Sequence, residues 1–212
     1  MTLKKLSVTF VLALFFLAGC SGCSSIKRLM YEFPGRDGWQ NPEEVVAALG
    51  LEPGDRIADL GSGGGYFTFP IAEAVGDTGR VYAVDIDESM LAYIAKQSEK
   101  RGLPQIETVL APQDGLGLPE ASVDLIFLSN VFHHLPDPTD YFRRARPILR
   151  SGGRIAVIDF SGDSFFMGSH ATPADEIQTR LEAAGYRLAK RHEILDRQSF
   201  QIFVIRSDES AD

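Results

Sequence analysis

The chain has 212 residues, a formal net charge of −8, 44% hydrophobic and 24% charged residues. That length and apolar content suit one domain with a sizeable core, and the acidic balance argues against broad binding to nucleic acid or to an anionic membrane surface. The only cysteines, Cys20 and Cys23, lie close together, so the chain is no disulfide scaffold.

At the N-terminus, Lys4 and Lys5 precede an apolar run from Leu6 to Leu17, broken only by Ser7 and Thr9, that ends in Leu17-Ala18-Gly19-Cys20. A positive start, an apolar core and small residues before a cut are the layout of a secretory signal. The run falls short of the roughly 20 apolar residues of a membrane span. Leu-Ala-Gly-Cys resembles the bacterial lipobox, which implies cleavage after Gly19, a lipid on Cys20 and attachment to a membrane of the cell envelope. The expected organisation is residues 1–19 as lipoprotein signal, 20–40 as lipidated tether and ordered lead-in, and 41–212 as the functional domain. Two alternatives stay open: a plain signal cut nearby, leaving two thiols, or a start at Met30, giving a cytoplasmic protein.

Tyr31, Phe33 and Trp39 are an unusual content for a passive linker and are expected to pack on the domain. Asn41-Pro42-Glu43-Glu44 reads as a helix start with Asn41 as cap, and Gly50 as its stop. Strands are expected at Arg56–Leu60, Arg80–Asp85, Gln105–Leu110, Val123–Ser129 and Arg154–Asp159. Helices fall between them, from about Tyr66 to Val75, Glu88 to Lys100 with Asp87 as cap, and Thr139 to Leu149, where Pro147 weakens the last turn. Ser151-Gly152-Gly153 is a turn. After a helix near Pro173–Ala184, Tyr186–Arg191 and Phe200–Arg206 are two strands in direct succession. The pattern implies an α/β fold, Rossmann-like: a mostly parallel seven-stranded sheet with helices on both faces and a C-terminal antiparallel strand pair. Such sheets bind ligands beyond the carboxyl ends of their strands, here Asp59–Tyr66, Asp85–Asp87, Ala111–Asp114, Asn130–His134 and Asp159–Ser161.

The loop after the first strand carries Gly61, Gly63 and Gly65. It sits between a strand and a helix, the context a ligand-cradling glycine loop needs. No lysine follows, which argues against a triphosphate-binding P-loop. A dinucleotide fingerprint would put its last glycine where Tyr66 stands, and Asp59 would repel a pyrophosphate. Asp59 suits a ligand with a cationic amino group, and Asp85 suits ribose hydroxyls. S-adenosylmethionine has both ends.

Asp59-x-Gly61-x-Gly63-x-Gly65 followed by Val81-Tyr82-Ala83-Val84-Asp85 resembles the class I S-adenosylmethionine-dependent methyltransferase family, most closely its small-molecule branch of quinone and lipid-headgroup enzymes. The resemblance runs from about Pro42 to Arg206. It implies that Asp59, Gly61 and Gly63 hold the methionine part, that Asp85 binds the ribose, that Ile86 lies against the adenine, that Asp114 meets the adenine amino group, and that Asn130 is the polar position after strand four. Trp39 is expected to cover the cofactor, and Gln40 or Arg36 to meet its carboxylate.

His133 and His134 are candidate general bases, His134 being the first choice and Asp137 the candidate orienter. His170 is a further candidate on the substrate side. No tight Cys/His cluster suggests a metal. The leading expectation is an enzyme that transfers a methyl group from S-adenosylmethionine to a small-molecule acceptor, one associated with the membrane. The alternatives are a non-catalytic envelope lipoprotein that binds a nucleoside-like molecule, and an NAD-dependent oxidoreductase.

Overall fold

The computed structural model describes residues 36–112, 115–160 and 171–206. The expectations for Cys20, Met30, Asp114 and His170 lie outside them. In chain order the elements are α1 (Asp37–Gln40), α2 (Pro42–Leu49), β1 (Arg56–Leu60), α3 (Thr68–Val75), β2 (Arg80–Asp85), α4 (Glu88–Arg101), β3 (Ile106–Leu110) and β4 (Val123–Ser129). There follow a 3₁₀ turn (Phe132–His134), α5 (Pro138–Ala145), a second 3₁₀ turn (Arg146–Ile148), β5 (Leu149–Phe160), α6 (Ala174–Ala183), β6 (Tyr186–His192) and β7 (Gln198–Ile205).

The seven strands form one sheet in the order β3-β2-β1-β4-β5-β7-β6. β1 to β5 pair in parallel, and β7 runs antiparallel to both of its neighbours. The expected fold class is the one observed. Both faces are covered, so β4 is apolar on both sides: Leu125 and Phe127 pack with Val45, Ile71 and Val75 of α2 and α3, while Ile126 and Leu128 pack with Phe142, Ile177 and Leu181 of α5 and α6. This explains why its sequence is nearly continuous in apolar residues rather than alternating.

Three local readings change. Asn41 makes no side-chain cap to α2; it adopts φ 41°, ψ 61° because it also closes α1, and its side chain donates to Ile194 O at 3.4 Å. α5 stops at Ala145, and the chain tightens into 3₁₀ geometry where Pro147 cannot supply an N–H. The glycine turn at residues 151–153 is a bulge inside β5: Val123 pairs with Leu149, but Leu125 pairs with Arg154.

The early end of α5 leaves the Phe142 carbonyl near a helix terminus, and the buried Tyr186 hydroxyl donates to it at 2.9 Å. Tyr186→Phe removes that donor and strands the carbonyl. Urea denaturation is expected to show a loss of about 1–2 kcal/mol with an unchanged m-value.

Candidate functional site

The strand order reverses between β1 and β4, so the crevice of the fold opens beyond their carboxyl ends. Gly61 and Ser62 N–H donate to Val84 O at 2.7 and 3.2 Å, which folds the glycine loop back over β2. Gly63 N–H donates to Asp85 Oδ2 at 2.8 Å, and Asp87 N–H donates to Asp85 Oδ1 at 2.9 Å. Asp85 thus braces the loop from below and stays half-buried. Asp87 caps α4 as expected, accepting from Ser89 N–H at 2.9 Å.

Two of the loop glycines answer to packing. A Cβ on Gly61 (φ 70°) would meet Val131 Cγ2 at 2.2 Å, and one on Gly65 (φ 86°) would meet the Phe69 ring at 2.6 Å. Gly61 lets the segment after β4 close against the loop. Gly63 has φ 51° and turns its N–H into the Asp85 contact.

Asp59, next to last in β1, is almost fully buried and accepts from the Thr68 hydroxyl at 2.5 Å. Burial pushes its carboxyl up to about 7; the Thr68 bond opposes the rise, Asp85 adds to it, and Arg36 opposes it. A buried carboxylate held by one hydroxyl is suited to a cationic ligand, whose charge restores what solvent no longer supplies. Across the loop, Ile86 is 80% exposed and Leu110 50% exposed, the two exposed large hydrophobics among the described residues. They stand at the ends of β2 and β3, an apolar shelf next to Asp85 where a planar base would bury area. The residues present therefore fit both ends of S-adenosylmethionine. Leu110 was not among the sequence candidates, although an apolar residue at a strand's carboxyl end is the signal for it.

The lead-in packs as a short helix across this edge. Arg36 lies over the Tyr66 ring at 3.8 Å and donates to Gln40 Oε1, and Tyr66 donates to Asp37 Oδ1 at 2.7 Å. Burial lowers the Arg36 pKa, against the pull of Tyr66, Asp59 and Asp37. Gln40 is fully buried and donates to Ser129 Oγ and Gln198 Oε1, both at 3.2 Å. Gln198 donates to Asn130 Oδ1 at 2.6 Å. Asn130 itself sits at φ 59°, an uncommon conformation for a non-glycine residue and a frequent companion of functional sites. Trp39 stacks on Phe160 with centroids 5.7 Å apart, at the end of β5. So Gln40 ties α1 to β4 and β7, and Trp39 stands over the β5 end.

The two histidines differ. His134 is exposed, with its ring 4.0 Å from that of His133. The His133 side chain is 8% exposed, and its Nδ1 is 2.8 Å from Oδ1 of the fully buried Asp159. Asp159 also accepts from His133 N–H at 3.1 Å and Phe160 N–H at 2.8 Å. Burial raises the Asp159 carboxyl; the His133 side-chain bond is the leading opposing effect. The expected orienter, Asp137, does another job: it caps α5 by accepting from Asp140 N–H at 3.1 Å. No group of three metal-ligating side chains occurs among the described residues.

Residues 58–157 match the family model described as "Methyltransferase domain". Aklanonic acid methyltransferase DauC from Streptomyces sp. (strain C5) is 38% identical over 103 residues, covering 49% of this chain and 47% of that protein. The ubiquinone/menaquinone biosynthesis C-methyltransferase UbiE from Pseudoalteromonas translucida is 32% identical over 119 residues, covering 56% and 47%. The chain thus spans about half the length of these curated relatives. Among solved structures, a SAM dependent methyltransferase from Aquifex aeolicus superposes with TM-score 0.78 at 28% identity, over 86% of this chain and 97% of that one.

Asp59 gives the ligand-free protein a pH signature. Its folded-state pKa, about 7, lies above its unfolded value, so the stability linked to its protonated form is present below about pH 4 and is lost as pH rises toward 7. Asp59→Asn keeps an acceptor for Thr68 and escapes that loss. Denaturation at pH 5 and pH 8 is expected to show the variant gaining on the parent by on the order of 2 kcal/mol at the higher pH.

Proposed function

We propose that this chain is an S-adenosylmethionine-dependent methyltransferase acting on a small-molecule acceptor. The observation that carries the reading is the pair of carboxylates flanking one glycine loop: Asp59 buried beside Thr68, and Asp85 under Gly63. Asp59 receives the cofactor's ammonium group. Asp85 keeps lone pairs beyond its two backbone bonds and receives the ribose hydroxyls. Ile86 and Leu110 take the adenine, and Arg36, at the rim near Asp59, meets the carboxylate. The bound cofactor supplies an electrophilic methyl group on a sulfonium. The chain's share is to align the acceptor, exclude water and hold a base, which Trp39, Asn130 and His133 are placed to do around the β4 and β5 ends. His133 is preferred to His134 for the base, since a buried carboxylate orients its ring.

Both curated relatives are named for chemistry on small organic molecules, and the Leu17-Ala18-Gly19-Cys20 sequence favours a membrane-associated acceptor met by a lipid-anchored protein. The same lipobox supports a second reading, an envelope lipoprotein that binds the cofactor or a nucleoside-like ligand without turnover.

Calorimetry on the full chain is expected to show binding of S-adenosylmethionine and S-adenosylhomocysteine, with affinity for both rising from pH 6 to pH 8 as Asp59 ionises. A folded protein that binds neither would sink the reading. Asp85→Ala should weaken both ligands at least about tenfold, the loss of charge-assisted bonds of about 1.5–3 kcal/mol each. Intact-mass analysis of the native N-terminus is expected to find a lipidated Cys20; an unmodified cysteine or a Met30 start refutes the anchor.

A further inference from the structure

We propose that Asp159 is a positioning residue that fixes the His133 imidazole with its proton on Nδ1 and its lone pair on Nε2, making His133 a base for an acceptor that must lose a proton, such as a hydroxyl or an activated C–H. The inference rests on the methyltransferase reading above.

Three bonds converge on the Asp159 carboxylate, and all come from the segments that end β4 and β5. Oδ1 accepts from His133 Nδ1 and Phe160 N–H at 2.8 Å each, and Oδ2 accepts from His133 N–H at 3.1 Å. Capping a 3₁₀ turn needs no charge. Burying a carboxylate completely is costly, and its two oxygens each take one backbone donor, Phe160 N–H on Oδ1 and His133 N–H on Oδ2. What only the carboxylate does is accept unconditionally from the ring, because an ionised carboxylate has no proton to give. A ring nitrogen that must donate leaves the other as an acceptor, so the partner of Nδ1 sets the chemistry of Nε2.

The turn itself is rigid. Phe132 is buried and stacks on Phe142 with centroids 5.8 Å apart, and His134 N–H bonds back to Val131 O at 2.9 Å. Val131 in turn presses on Gly61 of the cofactor loop. The imidazole is therefore tied to the loop by a short run of packed residues, and to β5 by a charged bond.

The step balances without an added reagent. The proton passes from the acceptor to His133 Nε2, the electron pair left on the acceptor forms the bond to the methyl carbon, and the pair of the broken carbon–sulfur bond stays on sulfur. The imidazolium then returns its proton to water. Acceptors with a ready lone pair, such as a tertiary amine, would have no use for the pair of residues.

The test reads the ring directly. In the full chain labelled with ¹⁵N-histidine, with His133→Gln to identify its signals among those of the four histidines, the wild-type His133 ring is expected to favour the Nδ1–H form by tenfold or more at pH 8, the bias of one charge-assisted hydrogen bond of about 1.5–3 kcal/mol. Its Nε2 signal should differ between the S-adenosylmethionine and S-adenosylhomocysteine complexes, since only the former carries a positive sulfur beside the base. In Asp159→Asn the tenfold bias should fall toward parity or reverse, with S-adenosylhomocysteine affinity retained. An Nε2–H form in the wild type, an identical Nε2 signal in both complexes, or a bias untouched by Asp159→Asn overturns the proposal; the first two need no variant at position 159. Calorimetry on the same samples separates the failures. Binding with an unresponsive His133 removes this inference alone, while no binding of either ligand removes the methyltransferase reading and this inference with it.

Discussion

One carboxylate organises the mouth of the sheet. Asp85 ends β2 and accepts from Gly63 in the loop after β1 and from Asp87 at the start of α4, so three segments take their positions from a single side chain. A charged acceptor with two backbone donors is roughly twice as strong a brace as a neutral one. It holds the glycine loop at positive φ, and the Asp87 carboxylate is left to cap α4.

Around that brace the molecule concentrates polar side chains where water is absent. Gln40, Asp59, Asp159, Gln198 and Ser199 are all buried, and all lie at or near the carboxyl edge of β1, β4 and β5. Most of their atoms are matched: Gln40 to Ser129 and Gln198, Asp159 to His133, Asp59 to Thr68. Ser199 Oγ, opposite Asp159 in the register, and Ser62 Oγ in the loop have no hydrogen-bond partner among the described residues. A core selected only for stability would place apolar residues here. The pattern is that of an edge arranged for polar ligands.

Much of this was legible in the sequence. β1, β2 and β4 are readable to the residue because short apolar runs end in Leu60-Gly61, Asp85 and Ser129-Asn130, where side-chain chemistry changes abruptly. The roles proposed for Asp59 and Asp85 rest on their positions on either side of the glycines. What was not legible depends on distant pairing. Asp159 is 26 residues from His133 and is brought to it only by the β4–β5 register, whereas Asp137 is near in sequence and was the natural guess. Gln40 is expected from sequence to meet the ligand; besides Arg36, four residues before it, its partners are Ser129 and Gln198, which are 89 and 158 residues away in the chain. Asn41 misleads in another way, since it ends one helix as it begins the next, and its dihedral angles satisfy the first.

The antiparallel course of β7 carries a consequence for how the protein is made. Because β7 runs opposite to its neighbours, its first residues reach the edge where the parallel strands end. The bond between Gln40 and Gln198 spans 158 residues of sequence. During synthesis from the N-terminus, the helix that crosses the crevice is made before the strand that carries Gln198. Contacts of such long separation form late and slowly. The ties of α1 to Tyr66, Ser129 and Phe160 can form as those residues are made, whereas the bond to Gln198 must wait for β7.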